Sequence, residues 1–372
     1  MPDSIPLVNL KLMHDEIADE LQQAIREVID SNWFVGGPVF QRFAAGVASY
    51  CGVDHCIPCG SGTDAIHLAL RAALGIGDGE QEVITVSHTF VGTVEAIAQA
   101  GYQPVLVDVN PQTYVMDLDQ VEKAITSRTR AIVPVHLYGQ MVDMPRLAQI
   151  ARKHDLVVIE DAAQCHGATY DGYKPGQLSR AAAFGFHPGD NLGAWGDAGA
   201  VVTQYEPLAQ TVLMLSDHGR QSKYEYGEVG MNSRTDTLQA AVLNTKLRHL
   251  DRWNTSRRQI AGWYREDLSS DTTCILPAVD PKAEHVYHRF VIQVDDRDDL
   301  LKHLQKQGVG AGIHYPIPMH EQPAYEFLGL APHDLPVTHE LCKRILSLPI
   351  HPGMTRAQVQ RVAGLVRSAV AV

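Results

Sequence analysis

One turn, whose residue types are well suited to ligand binding, combines two glycines with two hydroxyl side chains. The run Gly60-Ser61-Gly62-Thr63 follows the strand-like Cys56–Cys59 and precedes a helix predicted over residues 64–73. Backbone N–H groups at a helix N-terminus, with hydroxyls beside them, suit a phosphate group. The same residues also fit an ordinary helix N-cap. Taken alone, the turn leaves a phosphate site and a plain helix start as equal alternatives.

Asp161 marks a second candidate position, just after the apolar run 156–159. A carboxylate at the carboxyl end of a strand in an α/β sheet is well placed to meet a ligand. Asp161 could pair with a ring nitrogen and keep it protonated, and Gln164 could contact a ring hydroxyl. His88, which follows a predicted strand over residues 82–85, could stack on the same flat ring. A structural role explains each of these residues equally well in isolation.

A third candidate lies in the run Gly185-Phe186-His187-Pro188-Gly189-Asp190-Asn191-Leu192-Gly193-Ala194. An aspartate and a histidine in one enclosed pocket are enough for proton transfer. The histidines that could work with Asp190 are His88, His166 and His187. The sequence therefore offers Asp190, together with one of these histidines, as a candidate acid/base pair.

The elements that must position these residues alternate between helix and strand. Short apolar runs predict strands over residues 56–59, 82–85, 103–109, 130–135, 156–159, 181–186 and 198–203. Helical apolar spacing predicts helices over residues 16–31, 40–50, 64–73 and 237–254. This order is typical of an α/β domain with a mostly parallel sheet sandwiched by helices.

The pattern changes after about residue 250. It then predicts strands over 287–294 and 310–314 and helices over 298–307 and 355–370. We therefore expect a large α/β domain, residues 1–250, and a smaller C-terminal α+β domain, residues 251–372.

Bulk composition excludes several classes of protein. The 372 residues carry a net charge of -12, which argues against nucleic acid as the main partner. No apolar run is long enough for a membrane span, and the N-terminus lacks a secretory signal. The six cysteines suggest neither a disulfide framework nor a metal site, although Cys51, Cys56 and Cys59 lie close together. We expect a cytoplasmic enzyme without a metal.

Taken together and in order, these motifs resemble the DegT/StrS family of PLP-dependent sugar aminotransferases, which have the fold-type I architecture (PLP, pyridoxal phosphate). The resemblance runs almost end to end. The segments that carry it are Phe34-Val35-Gly36-Gly37-Pro38, Ser61-Gly62-Thr63-Asp64-Ala65, Glu160-Asp161-Ala162-Ala163-Gln164, Gly196-Asp197-Ala198-Gly199-Ala200, Asn232-Ser233-Arg234, Gly312-Ile313-His314-Tyr315-Pro316 and Ser347-Leu348-Pro349.

The resemblance implies roles for individual residues. Gly62 and Thr63 would hold the cofactor phosphate, His88 would stack on the pyridine ring, and Asp161 and Gln164 would contact the ring nitrogen and ring oxygen. Family members are homodimers with shared active sites, so Asn232 would reach the phosphate of the neighbouring subunit's cofactor. The residues expected to border a nucleotide-linked keto sugar or cyclitol-like substrate are Tyr224, Arg234, His314 and Tyr315.

The chain departs from the family pattern at two positions of one segment. Gly185 stands where the family carries a serine that donates to the phosphate, and Asp190 stands where it carries the lysine that forms a Schiff base with PLP. Aspartate cannot form an imine. Lys174 and Lys223 are the nearest alternative lysines, and neither is expected to replace it, because imine geometry tolerates little displacement.

Three hypotheses explain these departures. In the first, the protein binds PLP or pyridoxamine phosphate (PMP) non-covalently and carries out non-transaminating chemistry, such as dehydration or isomerisation, on a keto sugar. In the second, no cofactor is bound, and Asp190 with a nearby histidine catalyses dehydration, cyclisation or isomerisation. In the third, the protein is a catalytically silent partner or an engineered lysine-to-aspartate aminotransferase. The first hypothesis is preferred because Asp161, Gln164, His88 and Asn232 are retained.

Overall fold

The computed structural model describes residues 4–269 and 274–370 of the chain. The α-helices in the described residues are α1 Leu10–Glu16, α2 Ala18–Ser31, α3 Gly37–Cys51, α4 Gly62–Leu74, α5 Val91–Gln99, α6 Leu118–Ala124, α7 Met144–Lys153, α8 Glu206–Ser216, α9 Thr237–Leu247, α10 Leu250–Leu268, α11 Arg297–Lys306, α12 Pro336–Arg344 and α13 Arg356–Val370.

The strands in the same residues are β1 His55–Cys59, β2 Glu82–Val86, β3 Gln103–Val107, β4 Thr129–Ile132, β5 Val157–Asp161, β6 Thr169–Tyr170, β7 Ala181–Gly185, β8 Gly199–Thr203, β9 Arg220–Ser222, β10 Glu225–Tyr226, β11 Ala283–Glu284, β12 Phe290–Gln293 and β13 Ile345–Leu348.

A seven-stranded sheet in the order β1-β8-β7-β5-β4-β2-β3 forms the centre of the molecule. The pairs among β3, β2, β4, β5 and β7 are all parallel, whereas β8 runs antiparallel to both of its neighbours. Every residue of β2, β7 and β8 is buried, as expected for strands covered on both faces. The predicted mostly parallel sheet is therefore confirmed, with one reversed strand.

The loop between β1 and α4 brings two backbone segments unusually close. Ser61 is the N-cap of α4, and its hydroxyl accepts a 3.1 Å hydrogen bond from the Asp64 backbone N–H. A Cβ atom added at Gly62 would lie 2.9 Å from the Cα of Gly185 at the end of β7. Glycine at 62 is therefore required for the helix N-terminus to approach the sheet edge.

The residues after α9 form a second, smaller set of packed elements. Strands β12 and β13 pair antiparallel, and a hydrophobic cluster joins them to α10, α11 and α13. The predicted division between residues 250 and 251 falls at the start of α10. The exact boundary between two domains stays a prediction.

Two predicted elements differ from the structure. The helix predicted over residues 237–254 is broken between Leu247 and Leu250, because α9 packs on α2 and α3 whereas α10 packs on α13. The strand predicted over residues 310–314 is reduced to a single bridge between Gly312 and Ser347. Its neighbour Gly310 donates instead to the carbonyl of Ile5, so the segment divides its hydrogen bonds between two partners.

No helix within the described residues is long and apolar enough to cross a membrane.

Candidate active site

A cavity of about 440 Å³ opens where the parallel strands of the central sheet end. Loops that follow β1, β2, β4, β5 and β7 contribute its walls, together with the segments just before β12 and before the 3-10 helix at Met319–Glu321. Ligands bind at this edge of open α/β sheets. The sequence-predicted residues that line the cavity are Gly62, Thr63, Asp161, Gln164, His187, Asp190, His314 and Tyr315.

One end of the cavity is the N-terminus of α4. The backbone N–H groups of Gly62 and Thr63 belong to the first turn of this helix, where they have no partner within the helix. Such N–H groups and the helix dipole favour an anion. A Cβ atom added at Gly185 would meet the Ala163 Cβ at 3.4 Å and the Gly62 Cα at 3.5 Å, so the backbone there leaves room for a small side chain.

Asp161 lies on the floor of the cavity at the last position of β5. Its carboxylate accepts a 2.6 Å hydrogen bond from the Thr93 hydroxyl and a 3.2 Å bond from the Ala163 backbone N–H. Burial raises the pKa of Asp161 above its ordinary value, and these two hydrogen bonds act against that rise. A protonated ring nitrogen beside this carboxylate would supply the positive charge that the buried site lacks.

Gln164 is held in one orientation by hydrogen bonds at both ends of its amide. Its Oε1 accepts from the Tyr138 backbone N–H at 2.8 Å, and its Nε2 donates to the Tyr315 hydroxyl at 3.3 Å. The Tyr315 ring also contacts Phe90, with 5.7 Å between ring centroids. This group therefore presents two flat rings and an amide donor to the cavity.

Asp190 forms part of the opposite wall, with its side chain only 11% exposed. Its Oδ1 lies 3.9 Å from Nδ1 of His288, and the backbone N–H of His187 donates a hydrogen bond to its carboxyl group. Burial raises the pKa of Asp190 well above the ordinary value, and the nearby Arg289 partly opposes this rise. The group is therefore suited to hold or release a proton inside the cavity.

His88 does not reach the cavity. Its ring is buried behind the wall, where Nε2 lies 2.8 Å from the Tyr138 hydroxyl and Nδ1 lies 3.7 Å from the Cys342 sulfur. Burial lowers its pKa to about 4. The prediction that His88 stacks on a ring therefore lacks geometric support, because the chain turns after β2 and places Phe90 at the cavity instead.

His166 also faces away from the cavity. It is buried between Phe184 and Phe186, with ring centroids 5.3 and 5.4 Å away, and its Nε2 bonds the Gly185 carbonyl at 2.8 Å. Burial lowers its pKa to about 4. The structure therefore corrects the prediction of His166 as an acid/base group, because its polar contact positions the end of β7.

Three predicted residues lie outside the cavity altogether. Tyr224 is 81% exposed, Asn232 is exposed and pairs with Asp217 through its backbone, and Arg234 makes a 2.8 Å ion pair with Asp217. Within one chain these residues do not reach the cavity that Asp190 lines. Their predicted roles toward substrate and a neighbouring subunit stay predictions.

Neither of the alternative lysines lines the cavity. Lys174 donates to the Tyr50 carbonyl at 2.5 Å, and Lys223 is exposed over the Tyr224 ring. Among the residues that the structure describes, Arg289 is the only lysine or arginine in the cavity wall.

Sequence reasoning missed four residues of the site, namely Phe90, Thr93, His288 and Arg289. Phe90 carried a usable signal, since it is the aromatic residue in the turn that contains His88. Thr93 sits inside α5, and His288 and Arg289 immediately precede β12, so no local pattern links them to Asp161 or Asp190. No group of His, Cys, Asp and Glu within the described chain could hold a metal ion.

Comparison with known proteins gives one consistent result. A sequence model described as the DegT/DnrJ/EryC1/StrS aminotransferase family matches residues 15–367. The dTDP-3-amino-3,4,6-trideoxy-alpha-D-glucose transaminase of Streptomyces venezuelae is 43% identical over 365 residues, which are 98% of this chain and 95% of that protein.

Solved structures agree with this match. DesV of S. venezuelae, solved in complex with a ketimine intermediate, has a TM-score of 0.95 at 42% identity and covers 98% of both chains. The ntda protein of Bacillus subtilis, solved with bound cofactor PMP, has a TM-score of 0.89 at 33% identity and covers 98% of this chain and 83% of that one. The predicted fold-type I aminotransferase architecture is confirmed.

These relatives overturn the predicted function. Non-transaminating chemistry on a keto sugar, and with it the alternatives of a cofactor-free enzyme and a silent or engineered partner, is contradicted by near full-length similarity to a named sugar transaminase. That prediction rested on one segment. The cavity is built from several separate loops, of which the Asp190 segment is one.

Proposed function

Because the chain belongs to the DegT/DnrJ/EryC1/StrS aminotransferase family, we propose that it is a sugar aminotransferase that exchanges an amino group with a nucleotide-linked keto sugar. The observation that carries this proposal is one cavity that joins a helix N-terminus to the Asp161 carboxylate and to the Asp190 wall. The transaminase and the PMP-bound protein described above support the reaction class and the cofactor.

The residues of the cavity fit PLP or PMP. The free N–H groups at Gly62 and Thr63 suit its phosphate, and Asp161 suits its ring nitrogen. Gln164 suits its ring oxygen, and Phe90 offers a ring to pack against. A cavity of about 440 Å³ is in the range usual for small-molecule sites. When bound, PLP or PMP supplies an electron sink that can give and receive an amino group.

We propose that Asp190 takes the position that a lysine holds in the family. The cofactor is therefore held without a covalent bond. The surrounding run, from Gly185 to Ala194, supports this assignment, and no lysine among the described residues lines the cavity. Affinity then depends on the phosphate, ring-nitrogen and ring-stacking contacts. Losing any one of them should weaken binding more than in an enzyme with a covalent anchor.

Asp190 is also the group that moves the proton during amino transfer. Burial raises its pKa, which brings a carboxyl group closer to the range where it can both accept and return a proton. His187 and His314 line the same cavity, so we assign them, with Tyr315, to substrate contact. Burial lowers the pKa of His314 to about 4, so this ring is neutral near pH 7.

The complete site is assigned to a homodimer. Asn232, Tyr224 and Arg234 lie on an exposed part of the chain, outside the cavity of their own subunit. In a homodimer with shared active sites, they would complete the phosphate and sugar sites of the neighbouring subunit. Size measurement in solution tests this arrangement, and a monomer that still transfers amino groups would contradict it.

The experiment supplies purified protein with PMP and a set of nucleotide-linked 3-keto and 4-keto sugars, and mass spectrometry detects the amino sugar. The Asp190→Lys variant provides a matched reference with a covalent anchor. We expect both proteins to aminate the same sugar. If the lysine variant makes an amino sugar and the native protein makes none, the proposed function is wrong.

A further inference from the structure

Two polar groups beside Asp190 in the cavity wall lack hydrogen-bond partners. The wall consists of Asp190, His288 and Arg289. Among the described residues, the Asp190 carboxyl group receives a backbone hydrogen bond from His187 but none from a side chain, and the buried His288 Nδ1 and Arg289 Nε have no partner. Buried polar groups in folded proteins are nearly always paired. The wall is therefore built to be completed by a polar group of a ligand.

Neither neighbour donates a hydrogen bond to the Asp190 carboxylate. His288 is held in its neutral form because burial, helped by Arg289 and Arg257, lowers its pKa. Arg289 uses its Nη1 to donate to the His288 carbonyl at 3.2 Å, and it acts on Asp190 through its charge without a direct contact. Among the described residues, no charged N–H donor is therefore in direct contact with the Asp190 carboxylate.

An alkylammonium group can supply such a donor, and an aldehyde cannot. It brings three N–H donors and a positive charge, whereas an aldehyde oxygen can only accept a hydrogen bond from the protonated carboxyl group. Hydrogen bonds between charged partners contribute about 1.5–3 kcal/mol, against about 0.5–1.5 kcal/mol for neutral ones. This difference favours the aminated ligand by roughly tenfold, since about 1.4 kcal/mol corresponds to a factor of ten.

We propose that the Asp190 carboxylate selects the aminated form of the cofactor, PMP, over the aldehyde form, PLP, by pairing with its ammonium group. This inference rests on the proposed function, which puts Asp190 at the position of the family's lysine. The consequence is that the protein binds the form that carries the amino group to be given to the sugar. The spent aldehyde form then leaves more readily.

The test measures dissociation constants of the full-length protein for three phosphates that differ in one substituent. PMP carries an amine, PLP an aldehyde, and pyridoxine 5′-phosphate a hydroxyl group. Quenching of intrinsic fluorescence reports binding without any turnover. We expect PMP to bind about tenfold more tightly than either of the others.

Two variants locate the origin of the preference. Asp190→Asn keeps the size of the side chain and removes its charge, so the preference for PMP should fall to threefold or less. Asp197→Asn removes a different carboxylate from the lining of the same cavity and should leave the preference intact. A thermal melt of each variant confirms that it is folded.

The inference is overturned if PLP or pyridoxine 5′-phosphate binds as tightly as PMP, or if Asp190→Asn keeps the tenfold preference. Failure of the proposed function is a separate result. In that case PMP would still be preferred, but no keto sugar would be aminated. Conversely, amination of a keto sugar without a preference for PMP would contradict the selection of PMP by Asp190 and leave the proposed function standing.

Discussion

The Thr93 hydroxyl donates a 2.6 Å hydrogen bond to the Asp161 carboxylate, and this contact links α5 to the end of β5. Because the proton of Thr93 is used in that bond, its 2.8 Å contact with Thr89 requires the Thr89 hydroxyl to donate. Asp161 is therefore held by a chain of two hydroxyl groups. The carboxylate keeps one fixed orientation at the floor of the cavity.

Removing the inner hydroxyl should weaken cofactor binding. Thr93→Val keeps the shape of the side chain and deletes one hydrogen bond to a buried carboxylate, which costs about 1 kcal/mol. We expect the dissociation constant for PMP to rise roughly fivefold, measured by fluorescence titration. Thr89→Val removes only the outer bond and should change it less. Equal effects of the two variants would contradict this ordering.

Phe90 and His88 should respond differently to truncation. Phe90 is 53% exposed, lines the cavity and contacts Tyr315, so Phe90→Ala should raise the dissociation constant for PMP by roughly 2- to 10-fold. His88 is buried and bonded to Tyr138, so His88→Ala should instead lower the free energy of unfolding by about 1–3 kcal/mol. Titration and chemical denaturation separate the two effects. A Phe90→Ala protein with unchanged affinity for PMP would contradict the assignment of Phe90 as the stacking residue.

Glu160 should be important for stability although its neighbour Asp161 serves the site. One Glu160 oxygen lies 2.7 Å from Nε2 of His136, and the other accepts from Gly176 N–H and the Ser179 hydroxyl at 2.7 and 2.5 Å. Glu160→Ala leaves these buried groups unpaired and should cost about 3–5 kcal/mol of unfolding free energy.

Denaturant unfolding at neutral pH measures this cost. The matched control is Glu122→Ala, which removes an exposed ion pair with Lys153 and should cost less than about 1 kcal/mol. If both glutamates cost the same, the buried network around Glu160 is not a major source of stability.

Because of Lys246, the free energy of unfolding should rise with pH in the mildly alkaline range. Its Nζ is buried and donates to the Gly193 carbonyl at 2.6 Å, just behind the Asp190 segment, and burial lowers its pKa from 10.5 to about 8. The unfolded chain therefore binds more protons than the folded one between these values, so the free energy of unfolding rises with pH there.

The total rise from this group between pKa 8 and 10.5 is at most about 3.5 kcal/mol, at about 1.4 kcal/mol per pKa unit. Lys246→Met should flatten the profile between about pH 8 and 10.5. Urea denaturation at a series of pH values measures it. The native protein and the variant would have parallel profiles if Lys246 did not titrate in this window.

Asp190→Asn should stabilise the protein without ligand. The raised pKa of Asp190 means that the folded chain binds this proton more tightly, so its contribution to stability is full below the ordinary value of 3.8 and is lost as pH rises through the folded pKa. Replacing the carboxyl group with a neutral amide removes the loss. We expect a gain of roughly 1–3 kcal/mol near pH 7, which shrinks toward pH 4.

Thermal melts of the two proteins at pH 7 and pH 4 measure this difference. The stabilised variant should also bind PMP less tightly, which is the usual relation between a strained site and its function. A native protein more stable than Asp190→Asn at pH 7 would mean that Arg289 or another described neighbour already pairs with the carboxylate.

The sequence by itself determined the alternation of helix and strand, the central sheet, and the positions of Asp161, Gln164, Asp190 and the α4 turn. These features are readable because apolar runs, glycines and N-caps act over a few residues, and because ligands meet parallel sheets where strands end.

Tertiary structure alone decided which side chains meet. It turned His88 and His166 away from the cavity, brought Phe90 into it, and joined Asp190 to His288 and Arg289 from nearly 100 residues further along the chain. It also broke the long helix between Leu247 and Leu250 without a glycine or proline there. The physical reason is that side-chain direction and burial depend on contacts between distant segments, which local patterns do not encode.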